Sequence, residues 1–178
     1  TEERGHLQTQ IEADVEKRNS DPHSLFSTIR IFFSEIVEEV IDRKALLSVS
    51  PNKEGHLEFR AEILDESGNA TSADRGHTYR KLLCIAFDLA VLRAHLDDKF
   101  PRFVYHDGVF ESLDDRKKEN LLTVVRRYAE LGLQSVITLI DSDLPDRPSG
   151  EPVFATDEII LTLHDEGDQG RLFKMRAW

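Results

Sequence analysis

The sequence is poor in residues that crosslink chains or cross membranes. Among 178 residues there is one cysteine, Cys84, so no disulfide can form within the chain and a reducing, cytoplasmic location is expected. No apolar run approaches the roughly 20 residues that a membrane-spanning helix needs, and no basic, apolar leader opens the chain. We therefore expect neither membrane insertion nor secretion, and we expect Cys84 to fill space in the core.

Positive charge is also scarce. The chain has 23 Lys and Arg residues against 34 Asp and Glu residues, which gives a formal net charge of −11. Residues 141–168 contain nine acids, and Arg147 is the only Lys or Arg among them. Such a surface repels nucleic-acid phosphate, so DNA contact is expected only through other regions of the protein.

The length fits one domain with a short arm. Leu7, Ile11 and Val15 recur at four-residue spacing in a polar stretch, which predicts that residues 1–20 are the end of a helical, coiled-coil arm. Residues 21–178 are then expected to form the domain itself. Because the chain does not begin with methionine, we expect it to be a segment of a longer protein.

Hydrophobic periodicity predicts an α/β fold with mixed strand directions. Helices are expected over about 22–43, 77–96 and 114–131, and strands over about 45–50, 57–64, 102–106 and 134–140. The second helix is apolar nearly all round, which predicts a buried central helix. The last of these strands has the continuous apolar character of a buried parallel strand.

Capping residues and turns refine these boundaries. Asp21 and Pro22 predict the N-cap and first position of the helix over 22–43. Asp114 and Gly132 predict the N-cap and C-cap of the helix over 114–131. After an acidic loop, residues 158–164 and 171–176 are expected to pair as a C-terminal β-hairpin.

The most informative segment covers residues 103–114. An apolar strand ends in Asp107, Gly108 follows, and Leu113-Asp114 places a second aspartate seven residues after the first. Carboxylates at the C-terminal ends of strands lie where α/β sheets bind ligands, and they can hold a hard cation. Asp-Gly alone is also a common turn dipeptide, but the following Leu-Asp and the strand register favour a site.

This order of hydrophobic strand, Asp107 and then Leu113-Asp114 resembles the Walker B strand and D-loop of ABC-type ATPases. By that resemblance Asp107 binds Mg²⁺ through water, and Asp114 lies at the interface between two ATPase heads. The stretch over 134–140, followed by Asp141, similarly resembles the strand and switch loop that close such a site. The switch histidine of those ATPases is replaced here by Ile140 or Asp141.

Residues 74–83 resemble the signature loop of the structural-maintenance-of-chromosomes (SMC) ATPases. Gly76 is followed four residues later by Arg80 and an apolar helix, and a helix N-terminus favours phosphate. Asp74 stands where that signature has serine, and under a shifted alignment Ser72 supplies the hydroxyl. The residues that the resemblance assigns to nucleotide binding are Ser72, Gly76, His77 and Asp114.

Two departures from that pattern bear on activity. No GxxxxGK[ST] occurs, so the resemblance implies that ATP and Mg²⁺ bind only together with an N-terminal half that carries the P-loop. We expect no ATPase activity from this chain alone. Gly108 stands where those ATPases have a catalytic glutamate. Asp107 and Glu111 are the catalytic candidates, and His106 and Asp115 remain alternatives to Glu111.

The motif His106-Asp107-Gly108 resembles that of an uncharacterised bacterial domain family at the C-terminal end of SMC-like ATPases, some from ABC three-component defence systems. The implied function is the C-terminal half of an ATPase head, which dimerises with ATP in a DNA-related or phage-defence process. Its expected partners are the N-terminal P-loop half of the same protein and a second head in a homodimer. The alternative is a non-catalytic interaction module that has lost its hydrolytic residues.

Overall fold

The computed structural model describes residues 2–71, 77–164 and 166–174. In chain order the main elements are α1 (Glu2–Ser20), α2 (Leu25–Ile41), β1 (Ala45–Pro51), β2 (Leu57–Ile63), α3 (His77–Ala94), β3 (Phe103–Asp107), α4 (Asp115–Glu130) and β4 (Gln134–Thr138). Short 3₁₀ turns follow at Asp141–Asp143 and Asp168–Gly170. The chain divides into two compact units, Thr1–Pro145 and Asp146–Trp178.

The core of the first unit is built around α2. This helix packs against α3, α4 and β1, and it buries an apolar stripe at helical spacing that includes Phe33, Ile36, Val37 and Val40. Each of these four side chains is fully enclosed. The predicted helical segments are therefore confirmed, because the burial follows the periodicity from which they were predicted.

The central helix α3 is buried over most of its surface, as its all-round apolar pattern predicts. Its enclosed residues include Leu82, Ala86 and Leu89. The prediction that Cys84 fills core space is wrong, since its side chain is exposed. Cys84 instead lines a surface groove together with Phe87 of the same helix and Phe59 of β2.

The start of α2 differs from the predicted one. Ser24, not Asp21, is the N-cap, and its hydroxyl accepts a hydrogen bond from the Ser27 amide at 3.1 Å. The Asp21 carboxylate accepts from the His23 amide at 2.9 Å, which forms a separate turn before the helix. A competing turn at Asp21 therefore displaces the helix start by one turn.

The strands form two separate two-stranded sheets. β1 pairs antiparallel with β2 from Ala45–Ile63 to Pro51–Leu57, and β3 pairs parallel with β4 from Phe103–Gln134 to Asp107–Thr138. Both strand directions that the sequence predicts are thus present. The prediction that β4 is buried is wrong: each of its five residues is half-buried or exposed, because α4 packs against it and no further strand of the described residues extends its sheet.

Ion pairs connect the three core helices at the surface. Arg93 of α3 pairs with Glu35 of α2 at 3.1 Å, and its guanidinium lies 3.9 Å from the ring centroid of Phe32. Arg127 of α4 pairs with Glu39 of α2 at 2.6 Å. These contacts fix α3 and α4 to the same face of α2.

The junction between α1 and the rest of the first unit is hydrogen-bonded on two sides. The Asn19 side-chain amide donates to the Val49 carbonyl of β1 at 3.1 Å, and Arg30 of α2 donates to the Asn19 carbonyl at 3.4 Å. The Ser24 hydroxyl also donates to the Arg18 carbonyl at 3.2 Å. The last turn of α1 is thereby tied to both β1 and α2.

The C-terminal hairpin prediction is not met by the second unit. Neither residues 158–164 nor residues 171–174 form a strand, and residues 175 and 176 lie outside the described part of the chain. Across the turn, the His164 amide donates to the Gly170 carbonyl at 3.0 Å. A hairpin requires a ladder of such bonds, and here the 3₁₀ turn Asp168–Gly170 takes up the intervening chain. Within the described residues, no helix is both long enough and apolar enough to cross a membrane.

Candidate functional site

Asp107 and Thr138 lie side by side at the C-terminal ends of the two parallel strands. They are register partners in β3 and β4, and the Thr138 hydroxyl donates a hydrogen bond to the Asp107 carboxylate. Both side chains are exposed. Parallel strands place their C-terminal ends at one edge of a sheet, which is where α/β proteins bind ligands. Asp107 therefore lies at the end of a strand and at the edge of the sheet, as the sequence predicts.

Gly108 turns the chain away from the strand immediately after Asp107. Its amide donates to the Thr138 carbonyl at 2.9 Å, and its φ of +59° lies in the left-handed region that glycine adopts without steric penalty. The following Val109, Phe110 and Leu113 are all buried. The segment between the two aspartates is therefore anchored in the core on one side.

His106 projects to the opposite side of β3 from Asp107, as strand alternation requires. Its Nε2 lies 3.0 Å from an Asp88 carboxylate oxygen of α3, and its side chain is only 11% exposed. This pair ties the strand to the central helix. Of the alternatives to Glu111, His106 is therefore engaged away from the strand edge where Asp107 lies.

Lys81 of α3 reaches the loop that follows β3. Its ammonium group donates to the Gly108 carbonyl at 3.1 Å and pairs with the Glu111 carboxylate at 2.6 Å. A Cβ atom built on Gly108 would lie 3.1 Å from the Lys81 Nζ and 3.7 Å from Glu111 Oε2. The space that a side chain at position 108 would enter is thus occupied by this ion pair.

Asp114 is the N-cap of α4, as predicted. Its carboxylate accepts from the Lys117 amide at 3.0 Å and pairs with the Lys117 ammonium at 2.5 Å. The Lys117 side chain, together with its amide, holds the pKa of the Asp114 carboxyl below its ordinary value. Asp115 pairs separately with Lys118 at 3.2 Å.

Replacing Asp114 by alanine is expected to destabilise the protein by about 1 kcal/mol at pH 7, because α4 loses its cap. Since the folded-state pKa is lowered, this stabilisation is present above the unfolded-state value of about 3.9 and is lost as the pH falls through the folded value. Urea unfolding of Asp114→Ala and wild type between pH 3 and pH 7 measures the difference.

Asp114→Asn is the matched control, since asparagine caps helices as well as aspartate does. It removes the ion pair with Lys117, which Asp114→Ala removes as well, so the difference in unfolding free energy between the two variants measures the cap. A cost equal to that of alanine would contradict the assignment of the stabilisation to capping.

The signature-like segment lies largely outside the described residues. This holds for Ser72, Asp74 and Gly76, and for the side chain of His77, at which α3 begins. Their assignment to nucleotide binding stays a prediction. After β4, the switch-like residues form the 3₁₀ turn Asp141–Asp143.

A divalent cation at this edge has one carboxylate available from the strand ends, that of Asp107. The described residues contain no group of three or more His, Cys, Asp or Glu side chains that could hold a metal ion. Mg²⁺ in nucleotide sites is commonly bound by one or two carboxylates together with phosphates and waters. A single strand-end aspartate is compatible with that mode of binding.

Sequence reasoning missed two polar residues of α3, Lys81 and Asp88, and it missed Thr138 of β4. Each had a signal. Lys81 and Asp88 are charges within a helix that is otherwise buried, and such charges usually have partners. Thr138 is a hydroxyl at the end of an apolar strand, and only the strand register shows that it faces Asp107.

A family described as an uncharacterised protein conserved in bacteria (DUF2326) matches residues 36–177. The chain belongs to this family. The match covers α3, β3, α4 and β4 and the loop after β3. All elements of the candidate site therefore lie within the part of the chain that matches DUF2326. A search of curated proteins finds no match.

Solved Smc head domains have a similar fold. The Smc head bound to the C-winged helix domain of ScpA is 24% identical over 67% of this chain and 36% of that one, with a TM-score of 0.50. The Pyrococcus furiosus Smc head with an extended coiled coil, bound to the C-terminal domain of ScpA, is 20% identical over 67% of this chain and 30% of that one, with a TM-score of 0.50. The Pyrococcus yayanosii Smc head with a coiled coil and joint is 17% identical over 67% of this chain and 23% of that one, with a TM-score of 0.52.

At identities this low, the likeness to the Smc heads is a likeness of fold. The α/β class and the resemblance to SMC-type heads are confirmed, and this DUF2326 chain spans about a third or less of the length of these three head structures. Its fold is similar to that of part of such a head.

Proposed function

We propose that this chain is the C-terminal half of an SMC-like ATPase head. Asp107 serves as the Walker B aspartate, the loop over residues 74–78 as the signature-like segment, with Ser72 supplying its hydroxyl, and Asp114 as the D-loop aspartate. The half with the P-loop comes from the N-terminal part of the same protein. Two heads associate around ATP as a homodimer in the cytoplasm, in a DNA-related or phage-defence process, with DNA contacted through other regions.

The observation that carries this proposal is the position of Asp107. It ends the first strand of a parallel pair, is hydrogen-bonded to Thr138 of the second, and lies in a fold similar to Smc heads. The other carboxylates of this segment, those of Glu111 and Asp114, are paired with Lys81 and Lys117. Asp107 would therefore hold Mg²⁺ through water, and the cation would neutralise phosphate charge.

Exposed apolar side chains support the need for a further half. Phe103 and Tyr105 of β3 and Ile140 after β4 are each more than half exposed. Apolar surface of this kind is stabilised when another layer covers it. In this proposal the P-loop half supplies that layer.

The stripe on α1 supports the prediction of a coiled-coil arm. Leu7 is 53% exposed and Ile11 is 38% exposed, so the described residues leave much of the N-terminal part of this apolar face uncovered. Two of the similar Smc heads were solved with coiled coils attached. We propose that α1 is the end of such an arm.

The test uses the full-length protein with its P-loop half. ATP is expected to increase the association of heads, measured by analytical ultracentrifugation, in the wild type and in Asp97→Ala but not in Asp107→Ala. Asp97 is an exposed aspartate near the opposite end of β3, so it controls for loss of a charge. Unchanged association in Asp107→Ala, or a full-length protein without a P-loop, would overturn the proposal.

The non-catalytic interaction module remains the second candidate. Gly108 has no side chain that could orient water, and the Lys81 ammonium lies close to where a Cβ atom at that position would be. Under this alternative the heads associate without hydrolysis. ATP turnover by the full-length protein that is no higher than background would favour it.

A further inference from the structure

The loop after β3 carries a carboxylate three residues beyond position 108, that of Glu111, which is paired with Lys81. Gly108 O accepts two hydrogen bonds, from the Glu111 amide at 3.2 Å and from the Lys81 ammonium at 3.1 Å. The turn between Gly108 and Glu111 brings the Glu111 side chain back over the start of the loop. Its Oε2 comes within 3.7 Å of the position of a Cβ atom on Gly108.

Lys81 fixes this arrangement from a different element. It lies near the start of α3, 30 residues before Glu111 in the chain, and its ammonium group contacts both the carboxylate and the loop backbone. Lys81 is 35% exposed and Glu111 is 52% exposed. An exposed pair of this kind contributes little to stability, at most about 1 kcal/mol, so its main effect is on where the carboxylate points.

We propose that Lys81 is a positioning residue that holds the Glu111 carboxylate beside Gly108, where it replaces an acidic side chain at position 108. This inference rests on the proposed function. In ATP hydrolysis the oxygen of water forms a bond to the γ-phosphorus, the bond to the β–γ bridging oxygen breaks, and ADP leaves. The proton of the water passes to the Glu111 carboxylate.

The same geometry explains why position 108 is glycine. A side chain there would need the left-handed φ of +59° and would place its Cβ atom 3.1 Å from the Lys81 Nζ. A side chain at position 108 would therefore require the Lys81 ammonium to shift by a few tenths of an ångström, in addition to the strained φ. The absence of a side chain at Gly108 thus leaves room for the ion pair between Lys81 and Glu111.

Three variants of the full-length protein test the role of Lys81. Lys81→Met is expected to lower kcat for ATP by about 10- to 100-fold and to change KM by less than about twofold, because a misplaced catalytic group affects the chemical step. Lys81→Arg keeps the charge and is expected to restore most of kcat. The control Lys99→Met removes an exposed lysine beyond α3 and is expected to leave kcat unchanged.

The exchange of the two charges separates positioning from a merely structural pair. Lys81→Glu combined with Glu111→Lys keeps an ion pair between α3 and the loop but moves the carboxylate onto the helix. We expect this double variant to unfold at a temperature close to that of the wild type while its kcat stays as low as that of Lys81→Met.

Four outcomes would overturn the inference. A normal kcat in the exchanged variant would make the pair structural, and a raised KM with normal kcat in Lys81→Met would assign Lys81 to phosphate binding. A normal kcat and KM in Lys81→Met, with turnover lost in Asp107→Asn, would overturn the role of Lys81 and leave the proposed function intact. Wild-type turnover as low as that of Asp107→Asn would overturn both.

Discussion

Replacing Asp107 by asparagine in the full-length protein is expected to reduce ATP turnover by about 10²- to 10³-fold. Asparagine keeps an oxygen that can accept from Thr138, so the strand edge is preserved while the negative charge is lost. The loss should therefore appear in turnover and leave the unfolding temperature nearly unchanged. Steady-state phosphate release, measured alongside thermal unfolding, separates the two effects.

The matched control is Asp97→Asn, which removes an exposed aspartate near the N-terminal end of β3. It should retain the wild-type rate. If Asp107→Asn also retained a rate within about threefold of the wild type, Asp107 would not be the cation ligand, and the resemblance to a Walker B aspartate would be misleading.

Replacing Phe110 by alanine is expected to destabilise the first unit by about 3–5 kcal/mol, the usual cost of truncating a buried aromatic side chain. Phe110 is 1% exposed and lies between Asp107 and Asp114. Its loss removes the anchor of the loop that carries Glu111. Urea unfolding monitored by circular dichroism measures the change in unfolding free energy.

Phe103→Ala serves as the comparison, because Phe103 is the same residue type in the adjoining strand and is 61% exposed. Its replacement should cost less than about 1 kcal/mol in the chain by itself. Equal losses from Phe110 and Phe103 would contradict the burial that anchors the loop.

Much of the fold follows from periodicity because its core is made of helices with one apolar face. Phe33 and Val40 of α2 lie where the helical spacing predicts burial, and Asp114 caps α4 as its sequence context indicates. The start of α2 was less predictable, since Asp21 and Ser24 are both good capping residues. The turn that Asp21 forms with the His23 amide decides between them.

The prediction of a C-terminal hairpin is wrong because local sequence does not determine which segments pair. Residues 158–164 have the composition of a strand, but a strand needs a partner, and composition does not say where the partner lies. Ile160 is 84% exposed in this chain. Local propensity therefore indicates what such a segment can form, while pairing depends on neighbours that are distant in sequence.

The candidate site was predictable only in part. Asp107 and Glu111 stand in the sequence close to one another, and a motif can suggest them. Lys81 lies on a different element, and its contact with Gly108 depends on how α3 packs beside β3. Charged partners that converge from separate elements become visible only when the tertiary arrangement is known.

The junction at the end of α1 has a mechanical consequence. Asn19 donates to the carbonyl of Val49 in β1, and its own carbonyl accepts from Arg30 in α2. A torque applied along α1 therefore reaches a strand and a core helix at the same residue. Because α2 also packs on α3 and α4, a displacement of α1 would be passed through α2 to the two helices on either side of the segment between Asp107 and Asp114.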